Sequence, residues 1–178
     1  MKVILMILEL LFAACAMVPV SGQVTKTDSE FDGTIQFRME PAWACSGPDC
    51  SIKIGFYRTS RMESDSVVMI VSVVSSGFVA HPVFALGESL HFNVDGQIYS
   101  FEPFGSYDKE HGVDLLVSYT VDLQKYSTTK DFLKTLLNAR RVIVKIDLVE
   151  DKYVEGIFPD SGFRTVRPGL ADFYQQAF

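Results

Sequence analysis

The chain predicts a mainly β fold: an antiparallel β-sandwich, or a partly open barrel, of about nine strands with one or two short helices. Three observations carry this reading. From Gly33 onward the apolar residues mostly recur at period two, the mark of half-buried strands. Asp95-Gly96 sits between two such alternating runs, the pattern of a two-residue hairpin whose central residues both take positive φ. Strand-like runs recur at a spacing of roughly ten residues, with no internal repeat and no low-complexity tract to suggest another architecture.

The elements follow in order. Ile35, Phe37 and Met39 alternate with polar neighbours, as do Ile52, Ile54 and Phe56. Val67 to Val74 is a near-continuous β-branched run, which fits a strand covered on both faces. Pro82 demotes the stretch from Gly77 to Leu86 to an edge or broken strand, since proline donates nothing to a ladder. Leu90, Phe92 and Val94 lead into the Asp95-Gly96 turn, and Ile98 to Phe101 return from it. Gly105 to Gly112 reads as a polar loop, and Asp114 to Val121 as a further strand. Thr128 and Asp131 have the spacing of a helix cap and its reciprocal carboxylate, ahead of the stripe Phe132, Leu133, Leu136, Leu137. Val142 to Leu148 alternates again, with Tyr153 to Phe158 as its antiparallel partner. A last helix is expected from Pro168, with Leu170, Phe173, Tyr174 and Ala177 on one face.

The N-terminus reads as an address. Lys2 precedes the apolar run Val3–Phe12, broken only by Glu9, and the small residues Ala13, Ala14, Ala16, Ser21 and Gly22 follow with Pro19 among them. A charged start, an apolar core of about 7–15 residues and a small-residue zone are the layout of a secretory signal peptide. Residues 1–22 are read as that leader, cut before Gln23; alternatively, Phe12-Ala13-Ala14-Cys15 resembles a lipobox in which Cys15 becomes lipidated. Residues 23–32 then form a flexible polar segment and 33–178 a single domain. Cys15 belongs to the processed segment either way, which leaves Cys45 and Cys50 to form a disulfide in an oxidising compartment. Gly47-Pro48 lets the short loop turn, and closing it is worth only about 2 kcal/mol. At Cys45, Asp49 and Cys50 the loop resembles the short disulfide loop of a periplasmic lysozyme-inhibitor family, Ivy. Pro48 stands where that loop has a central His, and the resemblance implies no site.

The chemistry points away from several classes. Sixteen Lys and Arg against 22 Asp and Glu give a net charge of −6, unlike a protein that displaces counterions from nucleic acid. Gly87-Glu88-Ser89 lacks the second glycine of a nucleophile elbow, and no His-Glu-x-x-His or phosphate-binding glycine loop occurs. His111 could join Asp108, Glu110 or Asp114 on a metal, but the spacing matches no standard loop and reads as a solvated charged stretch. His91 reads as solvent-facing, and His81 is held extended by Pro82. Arg140 and Arg141, with Lys134 and Lys145, form a local basic cluster. No cofactor or metal is implied.

What remains is a stapled loop with hot-spot residue types on its shoulders. Trp43, Pro48, Asp49, Tyr57 and Arg58 are the candidate binding residues. The expectation is an exported, non-catalytic binding or protein-interaction module of the bacterial cell envelope, periplasmic, secreted or tethered at Cys15. Its partner would be another envelope or extracellular protein, with no nucleic acid and no membrane contact beyond that anchor. The alternative is an exported hydrolase with a carboxylate or histidine site.

Overall fold

A computed structural model describes residues 20–46, 50–62, 66–76, 82–111, 114–123, 129–162 and 164–178. The first four strands are β1 (Val24–Asp28), β2 (Ile35–Trp43), β3 (Ile52–Thr59) and β4 (Val68–Ser76). Then come β5 (Leu90–Val94), β6 (Gln97–Phe101), β7 (Phe104–His111) and β8 (Asp114–Asp122). Helix α1 (Thr129–Asn138), β9 (Val142–Leu148), β10 (Lys152–Ile157) and α2 (Val166–Ala177) complete the chain. The pairings between these strands are antiparallel and make two open sheets, β1-β2-β3-β4-β8-β7 and β10-β9-β5-β6. The fold is therefore the sandwich of the two expected architectures, not the barrel.

The core lies between the inner faces and is wedged by the helices. Met39 of β2 and Phe56 of β3 are fully buried, and the Phe56 ring lies 5.8 Å from that of Phe173 in α2. From the other sheet, Phe92 of β5 points inward and meets Phe101, Phe132 of α1 and Phe158 edge-on, at ring separations of 5.9, 5.6 and 6.1 Å. Edge-to-face contacts suit aromatic quadrupoles, so this cluster gains beyond its buried area. Asp95 and Gly96 turn with φ of 51° and 96°, as the hairpin requires. The Asp95 carboxylate then accepts the backbone N–H groups of Arg140 (3.0 Å) and Arg141 (2.8 Å), fastening the hairpin tip to the start of β9.

Several expectations need correction. Gly105–Gly112 is not a loop over its described length, because Phe104–His111 is the edge strand β7, paired with β8. Its composition is polar because an edge strand needs only backbone pairing on one side. Residues 23–32 were expected to be flexible, yet Val24–Asp28 pairs residue for residue with Ile35–Met39 of β2. Val67–Val74 is fully buried on one face; on the other Ser72 is buried while Val68, Ile70 and Val74 are half-covered. Around Pro82 an isolated bridge joins Phe84 to Leu148, and residues 77–81 of the expected broken strand, His81 included, lie outside the described residues. The last helix begins at Val166, with Pro168 inside its first turn, where a missing N–H still costs nothing. Thr128 lies outside the described residues.

The turn joining β1 to β2 is electrostatically set. Asp32 accepts the Thr34 N–H (3.0 Å) and pairs with Arg61. The Thr34 backbone N–H first, then the Ser29 hydroxyl and the Arg61 charge, bring its carboxyl down from 3.8 to about 2. The unfolded chain therefore binds the proton more tightly. This contribution to stability is complete above pH 3.8 and fades as pH falls toward 2. Acid titration of unfolding free energy is expected to show a decline in that window, and Asp32→Asn is expected to flatten it.

Candidate functional site

Cys45 and Cys50 form the expected disulfide, with Cα atoms 5.4 Å apart. Pro48 and Asp49 lie outside the described residues, as does Cys15. Cys45 faces inward: a Cβ placed on Gly156 of β10 would come within 2.6 Å of the Cys45 Cβ and 3.0 Å of its Sγ. The staple is thus seated where the six-stranded sheet meets β10 of the other sheet. Trp43 ends β2 on the outer face, half-buried, with the Lys53 ammonium 4.3 Å above its ring. Tyr57 lies on that same outer face, four residues along β3 from Lys53. Arg58 points the other way, donates to the Ala177 carbonyl at 2.5 Å and lies 5.0 Å from the Phe178 ring. The structure therefore brings Trp43 and Tyr57 to one face and uses Arg58 to hold the C-terminus.

A more organised surface lies on the outer face of the four-stranded sheet. Register places side chains in rows across it. One row runs Ile157, Ile143, Asn93, Ile98; the next runs Glu155, Lys145, His91, Ser100. Tyr153 and Asp147 begin the third. Within this grid Lys145 Nζ lies 2.6 Å from Asp147 Oδ1, His91 Nε2 2.9 Å from Asp147 Oδ2, and His91 Nδ1 2.9 Å from Ser100 Oγ. Three strands thus contribute to one hydrogen-bonded chain. The Lys145 ammonium first, then the His91 ring, hold the Asp147 carboxyl below the usual carboxylate range, while Asp147 holds the Lys145 ammonium above its own.

The order Ser100–His91–Asp147 has the composition of a hydrolase triad, with the ring turned so that Nδ1 faces the serine. In the tautomer that donates Nε2–H to Asp147, Nδ1 accepts the Ser100 hydroxyl proton. A nucleophile also needs a cleft that holds the substrate, and this chain lies on an open sheet. The groove on that face, of about 620 Å³, is lined by Asn93, Asp95, Gly96, Arg140, Arg141 and Ile143 and by no member of the chain. Among the described residues, no group of three or more His, Cys, Asp or Glu side chains is placed to hold a metal ion.

Large apolar side chains surround the polar chain. Ile98 is 68% exposed, Tyr153 60% and Ile157 47%, and the Lys145 ammonium sits 5.1 Å from the Tyr153 ring. Phe31 and Leu86 are more exposed still and lie on loops, Leu86 in the same segment as the exposed Val83. Single exposed apolar residues are ordinary; several on one face are not. Sequence reasoning placed His91 on the polar face and missed its partners. The His91–Ser100 pairing follows from the two-residue turn, whereas Asp147 and Lys145 require the sheet order.

No family model, curated protein sequence or solved structure matches this chain. A functional reading therefore stands on the surface chemistry. No described helix is long and apolar enough to cross a membrane, and a disulfide accords with an oxidising compartment.

Proposed function

We propose that this is an exported, non-catalytic interaction module that receives a protein partner on the outer face of its four-stranded sheet. The observation that supports it is the exposure of Ile98, Tyr153 and Ile157 on one face whose polar centre is already hydrogen-bonded together. A surface ordered in advance loses less entropy on binding. The exposed Arg140 and Arg141 side chains at the groove favour a partner that offers carboxylates beside an apolar contact. The stapled loop keeps a structural role in this reading.

The test is capture from the protein's own envelope extract, compared across variants. Ile98→Asp with Tyr153→Ala is expected to weaken the captured complex by about 30-fold or more, as loss of central hot-spot contacts does. Trp43→Ala is expected to leave it unchanged. The reverse pattern would return the contact surface to the stapled loop. A second reading, an exported hydrolase, is favoured by the Ser100–His91–Asp147 chain alone. Covalent labelling of Ser100 by a fluorophosphonate, abolished by His91→Ala, would establish it in place of the binding reading.

A further inference from the structure

Residues assigned to the leader by sequence are built into the fold. The Gly22 N–H donates to the Glu40 carbonyl at 3.0 Å, and the Glu40 N–H donates to the Gln23 carbonyl at 3.0 Å. This extends the β1–β2 ladder upstream. The Ser21 hydroxyl donates to the Pro41 carbonyl at 2.8 Å, and the Gln23 N–H closes a turn onto the Val20 carbonyl at 2.8 Å. Gly22 fills the corner between β2 and α2. A Cβ on Gly22 would stand 3.3 Å from the Ala42 Cβ, and a Cβ on Gly169 of α2 would stand 2.5 Å from the Gly22 carbonyl oxygen. The first turn of α2 thus carries a residue without a side chain where the chain at position 22 passes over it.

Cleavage before Gln23 would discard these contacts. It would open the corner above Gly169 and take away the Gly22 N–H that Glu40 accepts. We propose instead that the leader is cut between Ala16 and Met17. Ala14-Cys15-Ala16 is an Ala-x-Ala sequence directly behind the apolar run Val3–Phe12, which is the pattern a leader peptidase reads. Water adds across the Ala16–Met17 amide, leaving a carboxylate on Ala16 and an amine on Met17. Cys15 leaves with it, so Cys45 and Cys50 are the two cysteines of the product and no odd thiol reaches an oxidising compartment.

The inference rests on the export part of the proposed function and is independent of the sheet face. Intact mass and N-terminal peptide mapping of the protein purified from its own envelope test it. A chain beginning at Met17 supports it. A chain beginning at Gln23, or at an acylated Cys15, overturns it while leaving export in place. Retention of Met1 overturns export itself. Paired variants test the structural part. Gly169→Ala is expected to lower the melting temperature of the chain beginning at Met17 by several degrees, and to cost less in a chain beginning at Gln23, where the obstructing carbonyl is gone. Equal shifts in the two chains would overturn it.

Discussion

Phe92→Ala is expected to destabilise the protein by about 3–5 kcal/mol. Phe92 is fully buried, and its ring is the one that Phe101, Phe132 and Phe158 all approach edge-on. Truncation removes the transfer energy of the ring and leaves a cavity. The neighbours come from a strand, a helix and the segment after β10, so no single one can move in to fill it. Domains of this size hold only about 5–15 kcal/mol in total, so the variant should unfold at a much lower denaturant concentration. A shift worth less than about 1 kcal/mol would mean that the aromatic cluster is not the centre of the core.

Gly156→Ala is the second large effect, expected to cost about 2–3 kcal/mol through overpacking. The new methyl would sit 2.6 Å from the Cys45 Cβ, closer than real carbon contacts come. Cys45 is tied to Cys50 and almost fully buried, so it does not yield. The edge strand β10 must therefore give way, pulling on its ladder with β9. Urea unfolding of the oxidised protein checks this. An unchanged midpoint would show that the disulfide does not press on the second sheet.

Most core elements were legible because burial on one face enforces alternation. Leu90, Phe92 and Val94, and Val142, Val144 and Ile146, are all buried, as their period requires. The strands that escaped notice, β1 and β7, are the two edges of the larger sheet. Val-Thr-Lys-Thr-Asp holds a single apolar residue, and its pairing with β2 is a backbone matter that leaves no period in the side chains. The binding residues expected around the staple were chosen by residue type. Type alone does not say that Tyr57 and Arg58, adjacent in sequence, face opposite sides of a strand. His91 showed the limit most clearly. Its partner Ser100 is nine residues away and its partner Asp147 fifty-six, and only the sheet order brings the second one near.

The strand order also governs how quickly the chain can fold. Besides its sequence neighbour, β4 pairs with β8 and β5 pairs with β9, so neither sheet is complete until a distant stretch of chain has been delivered to it. Such a topology has a high contact order, and all-β domains of this kind fold in roughly milliseconds to seconds, against microseconds for helical bundles. Local hairpins such as β5–β6 form early but have nothing to bury their inner faces against. A chain exported as proposed would therefore remain threadable through a translocation channel until its last strands emerge.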